Sequence, residues 1–213
     1  MHAEDAKFWA FQKPLRHSIP STQTPPWAQR DLDHFVLAKL EEAGLRPSED
    51  ALPHTLLRRV HFDLIGLPPS PAALSEFSQA IAEMGIDAAL QREVDRLLAS
   101  PRFGERWGRQ CLDVARYAES SGKETNVSFS HAWRYRDYVI DAFNADRPYD
   151  QFLVEQIAGD LLLFDDDVQR AQQLIATGYL AIGPKGLNEM NAFQFLADVA
   201  DEQIDAVTKS IIA

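Results

Sequence analysis

Two stretches, SPRFGERWGRQCLDVARYAES at Ser100–Ser120 and HAWRYRDYVIDAFNADRPYDQFLVEQIAGD at His131–Asp160, decide the fold class of this chain. Ser100-Pro101 is a helix start, because a serine side chain caps the first free N–H groups and proline suits the first turn. In the second stretch Tyr135, Tyr138, Val139, Ala142 and Phe143 recur at helical spacing and form one inward stripe. Trp133 and Ile140 mark a second apolar strip on the same helix. Neither stretch alternates with the period of two that a strand requires.

The same signals extend outward. Leu32, Phe35, Val36, Leu40 and Ala43 share a helical face that stops at Gly44. Leu56, Leu57, Val60, Leu64 and Ile65 form a second pattern, ended by Gly66 and Pro68-Pro69. Ser70-Pro71 opens a third, lined by Leu74, Phe77, Ile81 and Met84 and stopped by Gly85. Leu90, Val94, Leu97 and Leu98 make a fourth. Beyond Pro101 the periodicity predicts helices at about 131–145, 149–162 and 167–182. Phe193, Leu196, Ala200, Ile204, Val207 and Ile211 mark the apolar face of a last helix, which reads as cut in mid-pattern at Ala213. Residues 1–30 hold Pro14, Pro20, Pro25 and Pro26 and read as an extended arm, anchored by Phe8, Trp9, Phe11 and Trp27. The expectation is an all-α, irregular multi-helix bundle over residues 31–213, preceded by that proline-rich arm.

Of the 213 residues, 46% are hydrophobic and 25% charged, which suits a globular chain able to bury a core. The formal charge of −11 repels phosphate backbones and anionic lipid, so neither nucleic acid nor a membrane surface is an expected partner. No apolar run approaches the roughly 20 residues of a membrane span, and no signal peptide follows Met1. Cys111 is the only cysteine, so no disulfide, CxxC zinc site or CxxCH haem attachment lies within the chain. Its helical neighbours Trp107, Ala115 and Ala118 predict a buried, inert thiol. His34, His54, His61 and His131 form no HxxxH pair and read as capping or surface histidines. Asp165-Asp166-Asp167 lacks the spacing and glycine of a calcium loop and reads as favourable charge at a helix N-terminus. No cofactor is expected in the chain.

One cluster invites a functional reading. Arg106, Trp107, Asp113, Arg116 and Tyr117 fall on the helix from Pro101 and its exit; Trp133, Arg134, Arg136 and Asp137 fall on the next. Arg109 and Asp113, Asp113 and Arg116, and Arg134 and Asp137 are spaced to pair along a helix face. Carboxylates bridged by arginines beside aromatic faces bind sugars or carboxylated ligands. They also tie helices together as structural ion pairs, and the spacing alone does not choose.

The chain also resembles a known family, the planctomycete cytochrome-c-associated helical domain, whose function is unknown. The resemblance rests on FWAFQKP at Phe8–Pro14, DHFVLAKLEEAGLRPS at Asp33–Ser48, LLRRVHFDLIGLPPSP at Leu56–Pro71, VDRLLASPRFGERWGRQCLDVARYAES at Val94–Ser120, AWRYRDYVIDAFNADRPYDQFLVEQIAGDLL at Ala132–Leu162 and LIATGYL at Leu174–Leu180. It implies a helical module of a larger extracytoplasmic or periplasmic protein, with other domains as partners, a c-type cytochrome domain among them. It also implies a pattern that continues beyond the position of Ala213, and an association with polysaccharide degradation. Carbohydrate is thus an alternative ligand. The family often carries His-Trp where this chain has Gln110-Cys111, so a role for that histidine does not carry over.

Overall fold

The helix boundaries fall where glycine, proline and serine stand. The computed structural model describes Phe8, Ala10 and residues 12–23, 27–123 and 125–212; Trp9, Phe11, Pro25 and Pro26 of the expected arm lie outside the described residues. Among the described residues every regular element is helical: α1 Asp31–Glu42, α2 Pro53–Ile65, α3 Pro71–Met84, α4 Ile86–Leu98, α5 Pro101–Val114, α6 Trp133–Asn144, α7 Tyr149–Ala158, α8 Asp167–Ala176, α9 Gly178–Ala181 and α10 Ala192–Ile212. The sole β feature among them is an isolated bridge between Ser120 and Ser128. The all-α class therefore holds.

Two compact units divide the chain, Met1–Ala51 and Leu52–Ala213. In the first, α1 packs against the proline-rich stretch. The Gln23 N–H donates to both carboxylate oxygens of Glu41 at 2.9 and 3.0 Å, and Thr22 Oγ1 lies 3.3 Å from His34 Nδ1. This fixes the rotation of α1 so that Leu37 is fully buried, while Leu32, Phe35 and Val36 stay exposed. The face expected from the sequence is thus not the buried one, because the short arm covers only the side that carries His34, Leu37 and Glu41. Trp27 borders a cleft beside Leu37, Glu41 and Leu45.

The second unit has two cores. Leu57, Phe77, Ala80 and Ala89 join α2, α3 and α4. Tyr135, Tyr138, Val139, Ala142, Phe152, Ala176, Tyr179 and Ala206 join α6 to α10 around α5. Burying each large side chain stabilises the fold by about 1.5–3 kcal/mol relative to exposure. The Ser70 hydroxyl accepts from the Ala73 N–H, and that of Ser100 from Arg102, as the two Ser-Pro starts require. Gly66 ends α2 at φ 72°, a left-handed conformation that disfavours any side chain.

Two expected boundaries move. The segment expected at 149–162 ends its α-helix at Ala158 and tightens into a 3-10 turn over Gly159–Leu161. The segment expected at 167–182 breaks at Thr177, whose hydroxyl donates to the Leu174 carbonyl at 2.8 Å. Gly178 lies there against Tyr135, where a Cβ would sit 3.3 Å from the tyrosine Cβ.

The last helix differs most. α10 is held to the body by its other side. Glu202 pairs with Arg116, the Ala206 carbonyl accepts from the Tyr179 hydroxyl at 2.5 Å, the Ser210 carbonyl from Tyr149 at 2.6 Å, and Gln203 donates to the Leu180 carbonyl at 3.0 Å. Of the apolar stripe read from the sequence, Val207 packs against the core, while the rest points outward, with Phe193 87%, Leu196 63%, Ile204 65% and Ile211 56% exposed.

Candidate functional site

α5 and α6 run antiparallel and close, because two glycines of α5 remove the side chains that would separate them. A Cβ on Gly104 would lie 2.4 Å from the Ile140 carbonyl oxygen. The Gly104 N–H instead donates to Asn144 Oδ1 at 2.8 Å, and Asn144 Nδ2 donates to the Pro101 carbonyl at 3.2 Å. Gly108 sits one turn on, against Val139 and Ile140. The start of α5 thus meets the end of α6, and the nine cluster residues are parted along the pair.

Arg106 leaves toward α2, its aliphatic stem against Gly66 and its Nε buried without a hydrogen-bond partner. Trp107 stacks at a tilt on Phe103, with ring centroids 6.3 Å apart. The Asp113 side chain is 68% exposed and, among the described residues, meets only the exposed Arg109, at 3.8 Å. An exposed pair of that kind contributes under about 1 kcal/mol, so Asp113 is no part of a buried network.

Arg116 adopts φ 54° just past α5. The Tyr117 N–H donates to the Leu112 carbonyl and that of Arg116 to Asp113, a paired helix ending whose turning residue is usually glycine. Arginine in that place costs about 1–2 kcal/mol, and it delivers the guanidinium to the Glu202 side chain and, at 2.6 Å, to the Glu202 carbonyl. Lys185 is close by. Burial lowers its amine pKa, against Glu202 and with Arg116 and Lys123.

The middle of the expected cluster does assemble. The Tyr117 hydroxyl donates to Glu119 at 3.0 Å, and Arg136 bridges Glu119 at 3.3 Å and Asp137 at 2.8 Å. Burial and the neighbouring Glu119 push the Tyr117 phenol up to about 12, so it stays protonated and donates. One turn before Asp137 on α6, Trp133 and Arg134 stand exposed, the guanidinium carbon 5.5 Å from the indole centroid. They border a groove of about 380 Å³ between α6 and α8, with Asp137, Asp141, Arg147 and Gln172.

Two networks escaped the sequence reading. Glu155 is buried on α7 and accepts from the Tyr138 hydroxyl at 2.7 Å and from Gln151 at 3.0 Å, and pairs with Arg147. Burial first, then the Glu155 contact, raises the Tyr138 pKa, which keeps the hydroxyl a donor. The available signal was periodicity: Phe152, Glu155 and Gln156 share one helical face, so α7 turns a carboxylate and an amide inward. The second network corrects the surface reading of His61. That residue is buried, and its Nε2 lies 2.7 Å from Glu93, which also pairs with Arg96 at 2.6 Å. Burial opposes charge on Glu93, but hydrogen bonds from Arg96 and His61 outweigh it and hold the carboxyl below its ordinary range.

Cys111 is half-buried, and desolvation raises its thiol pKa. It borders a recess of about 260 Å³ with Phe103, Ala142, Phe143 and Phe152. Such a thiol is a poor nucleophile. Asp166 caps α8, accepting from the Gln169 N–H at 2.8 Å. Among the described residues no three His, Cys, Asp or Glu side chains converge as metal ligands, and no helix is long and apolar enough to cross a membrane.

A family model, PSCyt2, described as a protein of unknown function (DUF1549), matches residues 31–213. No curated protein and no solved structure matches the chain. The chain belongs to the PSCyt2 family.

Proposed function

We propose that this PSCyt2-family chain is a helical module of a larger extracytoplasmic, cytochrome-c-associated protein, and that its work is contact with a partner rather than catalysis. One observation carries the reading. α10 is fixed by its inner side and presents Phe193, Leu196, Ala200, Ile204 and Ile211 outward along its length. A stripe of that kind on an otherwise acidic chain is the usual mark of a protein–protein interface. The family name and the sequence resemblance support a c-type cytochrome domain as the neighbour.

Photo-cross-linking in the native host tests this. A photoreactive residue at Leu196 should give adducts with a haem-bearing polypeptide in the extracytoplasmic fraction. The same group at Asp87, exposed on α4, should give none. Equal adducts from both positions, or a chain confined to the cytoplasm, contradict the proposal.

A second reading rests on the groove between α6 and α8, where the exposed Trp133 indole stands beside Asp137 and Asp141. An aromatic face with flanking carboxylates suits a neutral sugar ring, stacked and hydrogen-bonded at its edge. A glycan-binding screen of the parent and of Trp133→Ala decides it. Binding lost in the variant supports it, and a parent that binds no glycan removes it.

A further inference from the structure

α5 turns Gly104 and Gly108 toward α6, and it turns Arg102, Arg106 and Arg109 away from α6, to the side where α2 packs. The three arginines follow one another at helical spacing and so share one face. With Phe62, Ile65 and Leu67, from α2 and its exit, they line a groove of about 470 Å³. Guanidinium groups set along one face repel one another unless carboxylates stand between them. Among the described residues Arg102 and Arg106 form no ion pair, and Arg109 has only its contact with Asp113 at 3.8 Å. Asp63 and Glu105 border the groove and pair with none of the three. Glu105 does not face Arg106, because successive residues of a helix point in different directions.

Arg106 is the fixed member of the three. Its Cδ lies 2.8 Å from the place where a Cβ on Gly66 would stand. The arginine stem therefore crosses the end of α2 against bare backbone. Its Nε is enclosed there without an acceptor, and the rest of the guanidinium, equally without a partner, reaches the groove. The carbonyl end of α2 gives it a partial negative charge but no hydrogen bond. A side chain clamped in this way has already lost much of its freedom, so little ordering remains when a ligand arrives. The two terminal Nη groups match the two oxygens of a carboxylate. Phe62, Ile65 and Leu67 offer an apolar wall to the carbon body behind such a group. Asp63 and Glu105 at the rim oppose a second negative charge, and the formal charge of −11 acts the same way.

We infer that the groove between α2 and α5 is a binding site for an organic monocarboxylate. The Arg106 guanidinium grips the carboxylate end-on, Arg102 and Arg109 add positive field from the same face, and the carbon body lies along Phe62, Ile65 and Leu67. The site is separate from the stripe of α10 and does not depend on the partner contact made there.

The test titrates the whole chain, labelled with ¹⁵N, with sodium benzoate at constant ionic strength. The readout is the arginine Nε–H spectrum, with the Arg106 signal assigned by its loss in Arg106→Lys. That signal should shift and saturate with a Kd of about 1–10 mM. The Nε–H of Arg96, already bonded to Glu93, should not move. Benzyl alcohol, which has the ring without the charge, should leave Arg106 unmoved. Inorganic phosphate should bind at least about threefold more weakly than benzoate, because its second charge meets the acidic rim. Arg102→Gln/Arg109→Gln changes two exposed side chains, keeps the Arg106 signal, and should weaken benzoate at least about threefold. Arg106→Lys, followed through the Leu67 backbone amide, should weaken it about tenfold, since lysine keeps the charge and loses the fork. A response that never saturates, an equal response of Arg96 or to benzyl alcohol, or phosphate binding as tight as benzoate overturns the inference. So does benzoate binding that either variant leaves unchanged.

Discussion

The Tyr138 hydroxyl donates to the Glu155 carboxylate at 2.7 Å, from one helix to the next, with both side chains buried. Arg147, just past the end of α6, pairs with the same carboxylate and lies over the Tyr138 ring at 5.4 Å. The aromatic stack of Tyr138 on Phe152, with centroids 5.9 Å apart, holds the whole group in register. Removing one partner leaves the others desolvated. Glu155→Ala should cost about 3–5 kcal/mol, because Arg147 loses its counter-charge in a nearly closed site. Tyr138→Phe should cost about 1–2 kcal/mol. Urea denaturation of both variants checks the ranking; a milder loss for Glu155→Ala than for Tyr138→Phe contradicts it.

Asp113→Ala should be nearly silent, at under about 1 kcal/mol. Its carboxylate is 68% exposed and its partner Arg109 75% exposed. A loss of about 3 kcal/mol or more would mean a buried partner that this geometry does not contain. The same denaturation series reads it out.

Gly104→Ala should destabilise the chain by about 1–3 kcal/mol, through overpacking against the backbone of α6. The new Cβ would stand 2.4 Å from the Ile140 carbonyl oxygen, which cannot turn aside as a side chain could. Gly108→Ala should be milder, since its nearest atom is a Val139 methyl at 3.4 Å. Thermal melts that rank the two the other way contradict the close crossing of α5 and α6.

Acid should weaken the contact of α2 with α4. The Glu93 pKa lies below its ordinary 4.5 in the folded chain. A carboxyl lowered by folding contributes its full stability above the unfolded value and loses it as pH falls through the folded one. Glu93→Gln should therefore be less stable than the parent at pH 6, and the gap should narrow below about pH 4.5. A gap that is constant from pH 6 to pH 3 contradicts the pairing with His61 and Arg96.

Local chemistry made most of the helices legible. Ser70-Pro71, Ser100-Pro101, Gly66 and Gly85 state starts and stops whatever surrounds them, and the structure follows them. Which side of a helix is buried was less legible. α1 turns Leu37 inward, because Gln23 and Thr22 reach the side that carries Glu41 and His34. α10 has two apolar sides, and the ties from Arg116, Tyr149 and Tyr179 choose the weaker one. Of the candidate cluster, Tyr117, Arg136 and Asp137 do meet, through Glu119. Arg106 and Arg116 do not join them, because an antiparallel crossing sends opposite ends of α5 to different neighbours. Glu155 and His61 went unseen for a shared reason. Tyr138, which donates to Glu155, and Glu93, which meets His61, lie on other helices, and sequence spacing reports only neighbours along one.

The rotation of α10 carries the account, and thiol labelling measures it most directly. In a Cys111→Ser background, Ile204→Cys and Ala206→Cys place single thiols on opposite sides of the helix. The Ile204 position is 65% exposed and the Ala206 position 1%. The account predicts labelling at close to the free-thiol rate for Ile204→Cys, and at least about a hundredfold slower for Ala206→Cys, where reaction waits on local opening. Faster labelling of Ala206→Cys, or equal protection of both positions, would contradict an outward stripe and the docking surface built on it.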